Sequence, residues 1–203
     1  MGGTFPSSPP PSIPIKITSH QPTIVSNSHN LHRSARATGA QRFSIQATWA
    51  GLTREQFAPI DAFLMSQGGQ AGSFLFKAYG FDAPLGIATG TPVVIGASQV
   101  GTSLVTGGWT PSQTNILKAG DIITIAGQTK VYKVVADADS NSSGGATLSI
   151  LPSLLVSPAD AAVISVNSVA FTVAQAGDVI ETIVGRCAGG YLFNFSLSMV
   201  EAF

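Results

Sequence analysis

Histidines, acidic residues and a single cysteine are the side chains of this 203-residue sequence whose chemistry is worth testing first. His29 and His32 have the i, i+3 spacing that can place two metal ligands on one helical face, and His20 could supply a third. The Ser, Asn and Arg residues around them do not form a helical pattern, and no nearby carboxylate or cysteine completes a zinc site. We therefore interpret the three histidines as loop residues on a polar arm.

The segment Asp137–Asn141 begins like a calcium-binding loop, with acidic or amide side chains at alternate positions. The sixth position of such a loop needs glycine for its sharp turn, but here it is Ser142. The twelfth position needs a bidentate glutamate, but here it is Leu148. The pattern therefore predicts an exposed loop over Asp137–Gly145 rather than a metal site.

No other motif supplies a convergent set of nucleophile, base and orienting group. Gly68–Gly72 lacks the Lys-Ser/Thr pair and the helix that follow a phosphate-binding loop. Cys187 has no motif around it, and we predict a buried structural thiol. Trp49 and Trp109 could stack on sugar rings, but single tryptophans are more often core or interface anchors. The sequence thus predicts no catalytic residue, no metal ligand and no cofactor, and hence a non-enzymatic protein.

Charged side chains are sparse in this sequence. Hydrophobic residues make up 44% of it and charged residues 10%, against roughly 25% charged residues in ordinary soluble domains. Such a chain can bury a sizeable core but leaves a poorly charged exterior, which favours a subunit whose surface is covered by neighbours. The alternative on composition is a secreted or halotolerant β protein rich in Ser and Thr.

The charge balance and the hydropathy pattern argue against two classes of partner. Ten basic and ten acidic residues cancel, so the basic stripe that neutralises nucleic-acid phosphates is missing. Lys16, Arg33, Arg36 and Arg42 fit ion pairs between subunits or a solvated face better than a nucleic-acid groove. No run of about 18 apolar residues occurs, so no membrane span is expected. The N-terminal residues lack the basic and apolar regions of a signal peptide.

The first half of the chain predicts a compact α+β unit. Ile13–Thr18 and Pro22–Ser26 are strand candidates, and the polar stretch from Asn27 to Gln41 is predicted as a loop or a mobile hairpin tip. Strict alternation then predicts a half-buried strand with Phe43, Ile45, Ala47 and Trp49 on one face.

A helix is predicted next. Thr53 and Gln56 match a capping box, and glycines 68 and 69 suit the end of the helix. Pro59 indicates that the helix proper starts near it or that its first turn is irregular. The residues of its apolar stripe are Phe57, Ile60, Phe63 and Leu64, and the strand predicted after it is Ser73–Tyr79.

After Phe81 the strands become short and turns recur about every 8–12 residues, which is typical of a sandwich or barrel. The last strand, Gly190–Glu201, resembles Phe43–Trp49 in its alternation. Pairing the two would bring both ends of the chain into one sheet. The strand candidates between them are Thr91–Ile95, Ser103–Thr106, Asp121–Ala126, Lys130–Ala136, Ala146–Ile150, Ala162–Val166 and Ala170–Ala174.

The predicted fold is therefore mainly β (α+β). An antiparallel sheet or split barrel with one packed helix carries an inserted small β-barrel or β-sandwich domain. Residues 1–12 are predicted to be a Pro/Ser-rich flexible arm, residues 13–81 with 177–203 the main β domain, and residues 82–176 the insertion.

Several of these segments together resemble the distal tail (baseplate hub) protein family of long-tailed bacteriophages. The resemblance covers most of residues 40–203 and consists of patterns of strand and turn rather than reactive residues. The segments that carry it are Arg42–Trp49, Leu52-Thr53, Phe63-Leu64, Gly72–Phe76, Ala119-Gly120-Asp121, Val131–Val134, Ala146–Pro152 and Phe193–Leu197 with Glu201.

This resemblance implies a structural virion protein of the tail, made in the host cytoplasm, that forms a hexameric ring between the tail tube protein and the tip or hub proteins. The main β domain would close the ring, and the insertion would lie outside it. We expect the following residues to form its core or its contacts between subunits: Phe43, Ile45, Trp49, Phe57, Ile60, Phe63, Leu64, Phe74, Phe76, Phe193, Phe195 and Leu197. Two alternatives are a tail protein whose insertion binds host-surface carbohydrate and a head–tail connector or tube-terminator subunit.

Overall fold

The fold is described by a computed structural model that covers residues 2–81, 83–187 and 190–203, without the side chain of Ile13. It is 45% strand and 8% helix, and its sheets are antiparallel. The predicted fold class is confirmed. The chain divides into two compact units, Met1–Leu75 with Val173–Ala202 and Phe76–Thr172 with Phe203.

The described chain contains fourteen strands, one α-helix and one 3₁₀ turn, and the two helical elements lie in its first half. They are β1 (Ser12–His20), β2 (Thr23–Asn27), β3 (Arg33–Ala37), β4 (Arg42–Leu52), α1 (Arg54–Ser66), the 3₁₀ turn (Gly69–Ala71), β5 (Ser73–Lys77), β6 (Gly90–Val94), β7 (Ser103–Trp109), β8 (Ile122–Ile125), β9 (Val131–Val134), β10 (Ala146–Leu151), β11 (Ile164–Ser165), β12 (Ala170–Gln175), β13 (Thr182–Cys187) and β14 (Gly190–Glu201).

The sheet of the first unit has the order β1-β4-β14-β12-β5, and β13 pairs with β14 beside that path. From Phe43 to Trp49, β4 buries every second residue, as its alternation predicts. Its partner β14 runs antiparallel to it, with Phe195 opposite Trp49, Leu197 opposite Ala47 and Met199 opposite Ile45. The predicted pairing of these two strands is confirmed.

Helix α1 packs on this sheet through Phe57, Ile60 and Leu64, which are buried. The helix begins at Arg54, where the backbone N–H of Thr53 donates to Oε1 of Gln56 at 3.0 Å. Pro59 lies inside the helix, so the expectation that the helix proper starts near it was wrong. Capping and burial of the apolar stripe together outweigh the hydrogen bond that the proline cannot donate.

The N-terminal segment is docked rather than free. The N–H of Gly2 donates to the carbonyl of Ser73 at 2.7 Å, and that of Phe5 donates to Leu75 at 2.9 Å. The ring of Phe5 is 5% exposed and lies against Trp49 and two phenylalanine rings. The prediction of a flexible arm over residues 1–12 is thus corrected for residues 2–12, because an aromatic anchor offsets the ordering cost that the proline and serine content suggested.

β2 and β3 form a separate two-stranded hairpin. Its turn is closed by the N–H of Ser28, which donates to the carbonyl of His32 at 3.0 Å. The stretch predicted as a loop or hairpin tip therefore contains a complete strand, β3, that carries no apolar alternation. β13 is a second strand that the alternation pattern did not predict.

The second unit is a nearly closed, barrel-shaped sheet with the order β11-β8-β9-β10-β7-β6. The N–H of Val94 donates to Ala162 at 2.9 Å and that of Ala161 donates to Val94 at 3.0 Å, which joins the first strand to the region of the last. Inside lie buried side chains from every strand, among them Val94, Leu104, Ile123, Tyr132, Val134, Leu148, Ile150 and Ile164.

Candidate assembly surfaces

No group of three or more His, Cys, Asp or Glu side chains in the described part of the chain is placed to hold a metal ion. His20 ends β1, with its Nε2 3.0 Å from the Oγ of Ser44. His29 and His32 are exposed in and beside the hairpin turn. The three histidines thus lie at the end of a strand and in or beside a turn.

The acidic loop of the second unit uses its oxygens to hold main chain. The Oδ1 of Asp137 accepts from the N–H of Ala119 at 2.8 Å, and the Oδ1 of Asp139 accepts from Asn115 at 2.6 Å. The Oδ1 of Asn141 accepts from Gly145 at 2.8 Å and closes the loop on itself. The alternating polar pattern therefore supports the backbone of the facing segment.

Asp121 is a buried carboxylate that the sequence did not single out for a structural role. It is 3% exposed and accepts from the N–H groups of Leu85 at 2.7 Å, Lys118 at 2.8 Å and Gly86 at 3.3 Å. Gly177-Asp178 repeats the dipeptide Gly120-Asp121, but Asp178 is exposed on the first unit.

The two tryptophans and the cysteine do not form a ligand site. Trp109 is 3% exposed, and its Nε1–H donates to the Oγ1 of Thr106 at 2.8 Å. Trp49 is fully buried, and its Nε1–H donates to the carbonyl of Pro9 at 3.2 Å. Cys187 is exposed, so the prediction of a buried thiol was wrong. Its strand is exposed along nearly its whole length, which the sequence around it does not indicate.

The twelve residues expected in the core or between subunits lie inside the units. Trp49 stacks on Phe195 with ring centroids 4.7 Å apart, and Phe57 stacks on Phe193 at 4.9 Å. Phe63 and Phe193 are half-buried and the other ten are buried: Phe43, Ile45, Trp49, Phe57, Ile60, Leu64, Phe74, Phe76, Phe195 and Leu197. Phe76 belongs to the second unit and the other eleven to the first. Surfaces able to meet other chains are therefore built mainly from other residues.

The β2–β3 hairpin is the first such surface. Every residue from Gln21 to Ala40 is exposed, including Ile24 at 62%, Val25 at 45% and Leu31 at 88%. Arg33 and Arg36 lie on its second strand. A sequence signal exists for this surface: the first 54 residues contain five basic residues and no acidic residue, and the remaining residues contain five basic and ten acidic ones.

A groove beside β13 is the second surface, and we call it the β13 groove. It is open, has a volume of about 450 Å³ and is lined by Val179, Ile183 and Phe195 with Glu181 beside them. Val179 and Ile183 are 79% and 67% exposed. Thr48 and Ser196 complete its polar side.

The two outer strands of the first sheet differ. The edge of β5 is covered by residues 2–5, since the N–H of Leu75 donates to Gly3 at 3.0 Å in addition to the bonds from Gly2 and Phe5. Among the described residues, β1 has β4 as its one strand neighbour. Pro14 and Lys16 limit pairing over the first part of β1, which leaves Ile17–His20 as backbone able to accept another strand.

Within the described residues, no helix combines the length and the apolar character that crossing a membrane requires.

Comparison with known proteins identifies the second unit. Residues 83–169 match the family model described as "Distal tail protein pb9, B domain", a bacteriophage family, over somewhat less than half of the chain. No curated protein matches the chain significantly. The matched residues contain all six strands of the barrel-shaped sheet, from β6 to β11. The resemblance to distal tail proteins is confirmed for this part of the chain: residues 83–169 match the B domain of that family, and the match supports a structural role in a bacteriophage tail.

Proposed function

We propose that this protein forms a ring at the distal end of the phage tail and joins the tail tube protein to the tip or hub proteins. Six copies build the ring, as the resemblance to distal tail proteins implies. The first unit, with β1, the hairpin and β13, makes the contacts between copies. The protein is made in the host cytoplasm, works without catalysis and ends in the virion.

The observation that carries this proposal is the difference between the two edges of the first sheet. One edge is closed by the chain's own N-terminal segment, and the other presents the backbone of Ile17–His20. β13 is a further strand with a single strand neighbour, β14, among the described residues. A contact that joins the open edge of β1 in one copy to a different surface of the next copy is head-to-tail. Head-to-tail contacts close into rings when the rotation between neighbours permits it.

The sparse charge of the chain supports the same proposal. Only 10% of its residues are charged, and a monomer that stays dispersed usually carries about 25–35% charged residues on its surface. Apolar side chains exposed on the hairpin and beside β13 would be covered in a ring.

Electron microscopy and native mass spectrometry of the purified chain test the proposal. We expect ring-shaped particles with six-fold symmetry and a mass six times the 20.8 kDa of one chain. The variant that tests the contact replaces Ile17 by Pro, because proline in the open edge strand removes a backbone donor without adding charge. Two-fold dimers, or rings that form equally well with the substitution, would contradict this assignment of the contact.

Carbohydrate binding by the second unit is not supported by Trp109 or by the Asp137–Gly145 loop. Trp109 is buried with its N–H already bonded, and the carboxylates of the Asp137–Gly145 loop hold main-chain N–H groups. A glycan site would need an exposed aromatic face and unoccupied polar groups close to it. We therefore propose a single function, ring assembly.

A further inference from the structure

The β2–β3 hairpin exposes more apolar surface than an isolated hairpin can keep ordered. Its strands pair only with each other among the described residues, and both of its faces are open to solvent. A lone two-stranded hairpin is at best marginally stable in water. Ile24, Val25 and Leu31 are at the same time large apolar residues that are exposed to solvent. A partner that covers the hairpin would stabilise it.

Each face of the hairpin combines an apolar residue with small or basic ones. Ile24 pairs with Arg36 across the strands, and Val25 pairs with Ala35. Leu31 stands at the tip with a positive φ of 62°, a conformation that non-glycine residues rarely adopt. The surface that fits this hairpin is therefore an apolar groove with negative charge at its rim.

The β13 groove has this chemistry. Val179, Ile183 and Phe195 supply the apolar lining, and Glu181 supplies an exposed carboxylate. The neighbouring carboxylate of Asp178 already accepts from the N–H and the Nε2 of Gln70, at 3.1 and 3.0 Å. Glu181 is therefore the carboxylate of the groove that remains available to an arginine.

The hairpin and the groove lie at different points along β4. The hairpin leaves the sheet where His20 pairs with Arg42, whereas the groove lies where Thr48 pairs with Ser196. Six residues separate these points along β4, which corresponds to about 20 Å. The separation favours a contact with a second copy over a contact within one chain, and such a contact is head-to-tail.

We infer that the β2–β3 hairpin of one copy docks into the β13 groove of the next copy, with Arg36 facing Glu181 and apolar hairpin residues against Val179 and Ile183. The inference rests on the proposed ring and names the surfaces that close it. It explains why the basic residues are concentrated in the first part of the chain and why apolar residues are left exposed at both places.

Charge reversal tests the contact in the full-length chain. We expect Arg36→Glu and Glu181→Arg each to weaken self-association by about tenfold, measured by sedimentation velocity over a concentration series at low salt. The combined variant should recover most of the loss, since the two charges are then exchanged. A tenfold change corresponds to about 1.4 kcal/mol. Added salt should reduce the difference between the variants.

Matched controls make the same changes of charge elsewhere on the first unit. Arg54→Glu and Glu55→Arg lie on the exposed first turn of α1 and should leave self-association unchanged. A chain in which a short Gly-Ser turn replaces residues 22–38 should fold, because these residues are all exposed, and should not form rings. Circular dichroism of every variant checks the fold.

The outcomes separate the two proposals. Rings that withstand both reversals would overturn the hairpin contact and leave the ring itself standing. Losses that the combined variant does not recover would show that Arg36 and Glu181 do not face each other. A chain that stays monomeric at every concentration would overturn both the ring and the contact.

Discussion

Replacement of Asp121 is the sharpest test of how the second unit is held together. This carboxylate is 3% exposed and accepts two short hydrogen bonds, from Leu85 at 2.7 Å and Lys118 at 2.8 Å, and a longer one from Gly86 at 3.3 Å. In Asp121→Ala these N–H groups, whose hydrogen bonds are part-buried, lose their acceptor. A donor left unpaired costs about 1–3 kcal/mol, and the lower part of this range applies where water can reach the donor. Counting the two short bonds alone, we expect a loss of about 3 kcal/mol.

The variant Asp121→Asn removes the negative charge of this side chain while keeping nearly the same shape. Asparagine has nearly the same volume but places an NH₂ group where the carboxylate now accepts, so one of the three donors would face another donor. We expect this variant to lose about 2 kcal/mol. The control is Asp137→Ala, which removes one hydrogen bond, 2.8 Å long, at an exposed side chain that water can replace. Its expected cost is about 0.5–1 kcal/mol.

Urea denaturation gives the change in unfolding free energy, and hydrogen exchange locates it. Because two units need not unfold together, the exchange rates of the amides of Leu85, Gly86 and Lys118 are the decisive readout. They should rise in both Asp121 variants and stay unchanged in Asp137→Ala. If Asp121→Ala and Asp137→Ala lose the same stability, the argument that the three N–H groups depend on Asp121 is wrong.

Three further predictions concern packing, backbone conformation and exposure. Phe5→Ala should lower the stability of the first unit by about 3 kcal/mol, since its buried ring lies against three aromatic rings; a change below about 0.5 kcal/mol in urea denaturation would mean that the N-terminal segment is free. Gly108→Ala should cost about 3–4 kcal/mol, because the new Cβ would lie 2.3 Å from the carbonyl oxygen of Thr91 at a φ of 80°. Gly127→Ala, with a φ of 82° and no atom within 4 Å, should cost only about 1–2 kcal/mol, and equal shifts in the melting temperature would refute the steric argument. Cys187 is exposed, so a maleimide should label the native monomer at a rate close to that of the unfolded chain, and strong protection would restore the buried thiol expected from the sequence.

The sequence predicts those parts of the fold in which one face of an element is buried. β4 and β14 alternate because one side of each packs into the core, and that alternation also implied their pairing. The apolar stripe and the capping box predict α1 for the same reason. In all three elements, the spacing of the apolar residues along the chain shows which face of the element packs against the core.

Elements without a buried face show no such apolar pattern in the sequence. β2, β3 and almost all of β13 are exposed, so their strands carry no apolar alternation. The docking of Phe5 could not be predicted either, because the rings that receive it are distant in the sequence. The twelve residues expected in the core or between subunits are buried or half-buried within the units. Apolar alternation alone does not distinguish a core from an interface between subunits.

The place at which the second unit interrupts the first has a consequence for how such a protein can change. β5 runs out of the first unit and β12 runs back into it, and the two strands are neighbours in the same sheet. Neighbouring strands are about 4.8 Å apart. For the sheet of the first unit, the residues between β5 and β12 therefore form one loop whose two ends are held close together. The entropy of closing a loop grows only slowly with its length. An ancestral protein could therefore gain, lengthen or exchange a whole module at this position while the sheet of the first unit kept its sequence and its strand order.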